Sequence, residues 1–197
     1  MVKEYANFKE LEKNEFGNYF IKCIDRGSKV TILAPHGGRI EPGTDTIAKA
    51  IACQNFNYYG FIAERSKIEG RKNMHITSHK FDESKALELV GKSKVVIAIH
   101  GCKDEQIVKD IKKNFGKHIF IGGRDEVLKD KLEKVLWEAG LAIGREKFKG
   151  IEKDNICNRG TTGKGIQFEL TKSFRNDAMC RDKFIETVRR FLLTQTI

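Results

Sequence analysis

Lys94-Val95-Val96-Ile97-Ala98-Ile99-His100-Gly101 is apolar on both faces until it stops at a histidine and a glycine. A strand with one face in water would alternate apolar and polar residues. This one does not, as expected of a central parallel-type strand covered by helices on both sides. The same grammar appears upstream, where Lys29-Val30-Thr31-Ile32-Leu33-Ala34 runs into Pro35-His36-Gly37-Gly38. Downstream, Gly165-Ile166-Gln167-Phe168-Glu169-Leu170 does alternate, placing Gln167 and Glu169 on one face and Phe168 and Leu170 on the other.

Outward from these three strands, apolar runs predict further strands at 58–63, 74–77 and 117–121. Helical spacing falls between them: from Thr44, read as the cap, to about Gln54, then 104–114, 126–139, and Asp177 to Leu193. In 126–139 the apolar stripe is Leu128, Leu132, Val135, Leu136 and Ala139; in the last helix Phe184, Ile185, Val188, Phe191 and Leu192 face inward while Arg181, Lys183, Arg189 and Arg190 are solvated. Strands alternating with helices predict an α/β three-layer sandwich around a mainly parallel or mixed sheet. Repeats and low-complexity stretches are absent and there are only two prolines, so residues 1–197 are read as one domain.

The composition, 40% hydrophobic over 197 residues, supplies a full core and excludes a disordered or fibrous chain. No apolar run reaches the roughly 18 residues of a membrane span, and Lys3, Glu4, Lys9, Glu10, Glu12, Lys13 and Glu15 stand where a signal peptide would be apolar. The expected location is therefore the cytoplasm, and no membrane partner is expected. Five widely spaced cysteines without a C-x-x-C pair argue for reduced thiols. Cys102, two residues from His100, is read as a buried thiol before a ligand. Thirty-seven basic against 27 acidic residues give net +10, enough to steer polyanions toward the chain. The basic residues are scattered and not interleaved with aromatics, so a polycarboxylate fits better than nucleic acid, and the chain is expected to act as a monomer.

In open α/β sheets, residues following the carboxyl ends of different strands meet in one crevice. His36, Glu41 and His100 are so placed, and two histidines with one carboxylate form a catalytic zinc set that leaves a coordination position open. The His36-to-Glu41 spacing is too long for one helical face but suits a glycine turn that folds both groups onto one ion. Glu169, a carboxylate within an apolar strand, then reads as the general base. Taken singly, each has a plainer reading: His36 as a turn residue, Glu41 as a solvated charge before Pro42, His100 as a strand-end histidine, Glu169 as the partner of an arginine. The segment Asn155-Ile156-Cys157-Asn158-Arg159-Gly160-Thr161-Thr162-Gly163-Lys164 lacks the phosphate-loop spacing and precedes a strand where a helix should begin. A carboxylate clamp by Arg159, assisted by Asn158, is the better expectation.

Together His36-Gly-Gly-x-Ile-Glu41, His75-Ile-Thr-Ser-x-x-Phe-Asp-Glu83, His100-Gly and Asn155-Ile-Cys-Asn-Arg-Gly before Gly165-Ile-Gln-Phe-Glu-Leu resemble the poly-γ-glutamate hydrolase family of phages and prophages, over about residues 30–175. The resemblance implies a zinc-carboxypeptidase-like fold and a zinc peptidase cutting γ-glutamyl bonds, with metal on His36, Glu41 and His100 and acid/base work on Glu169. It also implies that Asn158, Arg159 and Arg175 hold substrate carboxylates, with His79 lining the cleft, and it adds release on host lysis as the alternative to a cytoplasmic location. A hydrolase for another carboxylate-rich substrate, or a basic polyanion-binding module with structural histidines, are the alternative readings.

Overall fold

In the computed structural model, which describes residues 4–65, 72–104 and 116–195, seven strands form one mixed sheet in the order β1-β3-β2-β4-β7-β5-β6. They are β1 (Tyr19–Ile24), β2 (Val30–Gly38), β3 (Asn57–Ala63), β4 (Val95–Cys102), β5 (Ile119–Gly123), β6 (Ile143–Gly144) and β7 (Ile166–Thr171). The central four, β3, β2, β4 and β7, run parallel; β1 is antiparallel at one edge, and β5 pairs antiparallel with β7. The helices are α1 (Phe8–Glu15), α2 (Thr44–Ala52), α3 (Ser84–Gly91), α4 (Glu126–Glu138), α5 (Lys172–Asn176) and α6 (Ala178–Thr194). None among the described residues is long and apolar enough to cross a membrane.

Both faces of the sheet are covered, as the unbroken apolar run of β4 requires. On one face α2, α4 and α6 pack Ile47, Ile51, Leu132, Leu136, Phe184 and Val188 onto Ile32, Ile97, Ile99, Phe168 and Leu170. On the other, α1 and α3 pack Phe8, Leu11, Leu89 and Val90 onto Leu33, Tyr59, Phe61, Val96 and Ala98. The result is an α/β fold of three layers. Alternation then assigns His100 to the face of Val96 and Ala98, and Glu169 lies beside it, because His100 and Glu169 are register partners across β4 and β7.

β2 departs from strict alternation at a decisive point. Its pairing with β3 shifts register between Ala34 and Gly37, so three steps along β2 match two along β3. Such a bulge re-aims the residues it contains, and Pro35, which has no N–H to give the ladder, sits inside it. Uninterrupted alternation would turn His36 the same way as Ile32 and Ala34, under α2. The bulge frees it to reach the other face.

Several boundaries move and one predicted strand is absent. Residues 74–77 form no strand; only Asn73 makes a bridge, to Glu4, and the segment runs irregularly past the carboxyl ends of β2 and β4. Thr44 is not the cap of α2: Gly43 takes that position in a left-handed conformation, and the Thr44 hydroxyl donates to the Glu41 carbonyl. Arg189 is less solvated than its helix face suggests, since it bonds the Ile51 carbonyl and Asn55. The helix expected over 104–114 falls almost wholly outside the described residues. Sequence reading also passed over α1, β1, α3 and the two-residue β6. In α1 the buried face is only Phe8, Leu11 and Glu15, amid charges; the Glu15 carboxylate is taken by Arg65 and the Tyr5 hydroxyl.

Candidate metal centre and active site

After β2 the chain crosses to β3 on one side, and after β4 it proceeds to strands on the other, so the carboxyl ends of β2 and β4 flank a switch point of the sheet, where a ligand crevice is expected. A cavity of ≈ 540 Å³ opens there, lined by His36, Glu41, His75, His100 and Glu169 among others. The turn after His36 closes with a bond from the Glu41 amide to the His36 carbonyl, 2.9 Å, which folds the two side chains together. The His36 imidazole Nε2 lies 2.7 Å from the Ile76 carbonyl. A carbonyl only accepts, so this contact places a proton on Nε2 and turns Nδ1 toward the centre of the site.

Nδ1 faces Glu41 Oε1 at 3.1 Å and His100 Nδ1 at 3.1 Å, while His100 Nδ1 is 3.7 Å from Glu41 Oε2. Buried nitrogen and carboxylate atoms converge this closely only with a cation or a proton between them. Tetrahedral zinc with ligand bonds of about 2.0–2.1 Å sets its ligand atoms about 3.3 Å apart, so the observed spacings fit a zinc ion. The electrostatics agree. Burial pushes the Glu41 carboxyl up, but His36 and His100 outweigh it and hold Glu41 well below the usual carboxylate range. Burial alone would lower His100, yet the bond to Glu41 and the charges of Glu169 and Glu41 raise it.

His75 is the residue that sequence grammar missed. Its ring stacks on His36 with centroids 4.0 Å apart, and its Nε2 is 3.9 Å from Glu41 Oε1. His36, Glu41 and His75 thus make a second candidate ligand set, with ligand atoms all within 4.8 Å. His100 and His75 are both candidates for third ligand, at 3.7 Å from Glu41 Oε2 and 3.9 Å from Glu41 Oε1. Burial and the His36 charge push His75 down to about 3, so it is neutral. No strand leads to His75, and the motif Met74-His75-Ile76 alone carries no signal of where a loop will lay it.

The repeated His-Gly pairs acquire a physical reason. The Gly101 amide donates to Glu41 Oε2 at 2.8 Å, and a Cβ on Gly37 would lie 2.7 Å from Asp45 Cβ and 2.9 Å from the Phe61 carbonyl oxygen. A Cβ on Gly101 would lie 2.6 Å from the Arg175 guanidinium carbon. Arg175 is buried, bonding the carbonyls of Leu170, Cys102 and, very closely, Pro42. It braces the site from behind, where the clamp expectation had placed it against substrate. Gly101→Ala is therefore expected to cost about 1–3 kcal/mol, as overpacking against a fixed side chain does, and to weaken any metal held at this candidate centre by displacing the donor to Glu41. Thermal melting and metal content of the variant check both.

Glu169 is half-buried at the cavity floor, and no described side chain hydrogen-bonds its carboxylate. Burial pushes its pKa up to about 7, with His100 and Arg175 opposing and Glu41 adding to the rise. Cys102 also lines the cavity; burial and Glu169 push its thiol up to about 12, so it stays protonated.

The predicted clamp residues lie elsewhere. Arg159 is absent from the cavity lining; its guanidinium bonds the carbonyls of Asp154, His79 and Phe81. Asn158 is buried and its amide donates to the carbonyls of Gly150 and Glu152. The clamp reading is revised: Arg159 ties the loop at Asp154 to the one at His79 and Phe81, and Asn158 gives both amide hydrogens to the turn at Gly150 and Glu152. His79, on one of those loops, does line the cavity.

Comparison with known proteins bears on this geometry. The family model described as poly-gamma-glutamate hydrolase matches residues 5–190. The chain belongs to the poly-γ-glutamate hydrolase family. Among curated members of similar sequence, the SPbeta prophage-derived UPF0714 protein YoqZ of Bacillus subtilis (strain 168) is 35% identical over 88% of this chain and 61% of its own length. The UPF0714 protein YndL of the same organism is 35% identical over 87% of the chain and 65% of its own length. The chain thus spans somewhat under two thirds of these relatives. A zinc-free apo structure of YndL superposes with a TM-score of 0.85 at 30% identity, covering 99% of this chain and 100% of that one. A bacteriophage poly-gamma-glutamate hydrolase superposes with a TM-score of 0.81 at 25% identity, covering 98% and 97%. N-formylglutamate amidohydrolase from Ralstonia eutropha JMP134 shares the fold alone, with a TM-score of 0.59 at 10% identity over 89% and 97%.

Proposed function

We propose that this poly-γ-glutamate hydrolase family member is a zinc-dependent enzyme that cleaves γ-glutamyl amide bonds of poly-γ-glutamate, with His36, Glu41 and His100 as the metal ligands and Glu169 as the general base. One observation carries the reading: His36 Nδ1 meets Glu41 and His100 at 3.1 Å each, beside a Glu169 carboxylate that no described side chain hydrogen-bonds. Family membership and the zinc-free form of YndL support the choice of ion.

When bound, zinc supplies Lewis acidity, lowering the pKa of a water toward about 7 and polarising a carbonyl. The chain's own residues do the rest. The Ile76 carbonyl fixes the His36 tautomer, and the Gly101 amide orients Glu41, as outer partners of metal ligands do. Glu169 takes a proton from the attacking water onto its carboxylate and hands it to the nitrogen of the departing amine. A carboxyl raised to about 7 by burial is matched to that exchange, and among the described side chains no donor occupies it. The scissile amide breaks to a free carboxylate and a free amine.

Purified protein incubated with poly-γ-glutamate should shorten the polymer, and a chelator should stop the shortening until zinc is returned. Cleavage that persists undiminished after complete metal removal overturns the zinc assignment; no cleavage by the zinc-loaded chain overturns the substrate.

A further inference from the structure

Poly-γ-glutamate carries one free carboxylate on every residue, and with the predicted arginine clamp engaged elsewhere, the cavity needs another cation to receive it. Its described lining includes the carboxylates of Glu41, Glu152 and Glu169, which repel such a group, and a single lysine or arginine, Lys149. The Lys149 side chain is exposed and makes no hydrogen bond or ion pair with any described residue.

The main chain that presents this ammonium is held unusually firmly. The Gly123 amide donates to the Lys149 carbonyl at 2.8 Å, Gln167 Nε2 to the Phe148 carbonyl at 2.9 Å, and Asn158 Nδ2 to the Gly150 carbonyl at 2.8 Å. Phe148 adopts φ 53, a conformation that L-residues avoid, and its ring packs on Phe120 with centroids 5.3 Å apart. Gly122 makes room beneath: a Cβ there would lie 2.2 Å from the Phe148 carbonyl oxygen and 2.7 Å from that of Lys149. Gln167 in turn shares its face of β7 with Glu169, so this anchor is built on the strand that carries the proposed base. A left-handed backbone at a non-glycine residue persists only where its surroundings over-determine it, and such sites cluster where a group must be pre-positioned.

We infer that Lys149 is the specificity-determining residue of the cavity, the cation that receives a substrate carboxylate next to the scissile γ-amide, and that Asn158 and Gln167 are positioning residues for it. The inference rests on the proposed cleavage of poly-γ-glutamate and names how that substrate is recognised. It also gives Asn158 the role that its direct assignment to substrate lacked.

Two readouts test it separately from the activity. Equilibrium binding of γ-linked tetraglutamate is measured on the full zinc-loaded chain carrying Glu169→Gln, alone and with Lys149→Met, Lys149→Arg or Lys164→Met. Turnover of the polymer is measured on the unsubstituted chain. Lys164 lies just before β7, at the end of that strand away from the cavity, and removes the same unit of charge. Lys149→Met should weaken binding by about 10- to 100-fold, the range for a lost charge-assisted bond. Lys149→Arg should restore most of it, and Lys164→Met should change it by less than about twofold, as a distant surface charge does. Lys149→Met binding as well as Lys164→Met overturns the inference, even if the polymer is cleaved. An unsubstituted chain that does not cleave, while Lys149→Met still abolishes oligomer binding, overturns the proposed activity and upholds Lys149 as the carboxylate site. No oligomer binding in any variant overturns both.

Discussion

Glu169→Gln is expected to lower turnover of poly-γ-glutamate by on the order of 10²-fold or more, the loss typical of removing a general base, while zinc stays bound. Glutamine keeps the shape of the side chain and its place opposite Phe120 and His100 in the sheet, but it cannot accept a proton. Because burial already disfavours the ionised form of Glu169, the substitution should not lower stability. Metal analysis and thermal melting accompany the kinetics. Near-normal turnover in a folded, zinc-replete Glu169→Gln chain removes Glu169 as the base.

His36→Ala and His100→Ala are each expected to abolish stoichiometric zinc binding and, with it, hydrolysis. Both imidazoles are buried to within 2% exposure, so neither is a free strand-end group. Removing one leaves a buried carboxylate or hydroxyl short of a partner at about 1–3 kcal/mol, which a thermal melt must show the fold survives. His75→Ala is the informative companion. It should retain zinc, since His100 stands closer than His75 to Glu41 and shares the 3.1 Å contact with His36. Zinc lost from His75→Ala and kept by His100→Ala reverses the third ligand, and full occupancy in both His36→Ala and His100→Ala eliminates the site.

The features legible without tertiary structure are those governed by local periodicity and desolvation. The unbroken apolar run of β4 could only be a covered strand. The alternation in β7 set Glu169 and Gln167 apart from Phe168 and Leu170, and the register bears this out by putting Glu169 beside His100. A carboxylate inside an apolar strand signals an unusual environment by itself, and burial raises Glu169 accordingly. The less apolar pieces escaped: α1 buries a narrow face between charges, and in 74–77 Met74 and Ile76 are buried in the core on the α1 and α3 face, an alternation that looks locally like a strand.

What the amino-acid sequence by itself determined, then, was the covered sheet, the strand-end placement of His36 and His100, and the face on which Glu169 stands. Tertiary structure decided the rest. The bulge at Pro35 turns His36 away from α2 and toward His100, a change of face that depends on how β2 pairs with a strand more than twenty residues on. The loop after Asn73 lays His75 over His36. Asn158 and Arg159 look like substrate ligands by residue type, but a donor serves whichever acceptor the fold brings within reach, and theirs are the carbonyls of Gly150, Glu152, Asp154, His79 and Phe81. A buried amide or guanidinium must be satisfied, and the carbonyls that satisfy it come from loops whose positions no local spacing encodes.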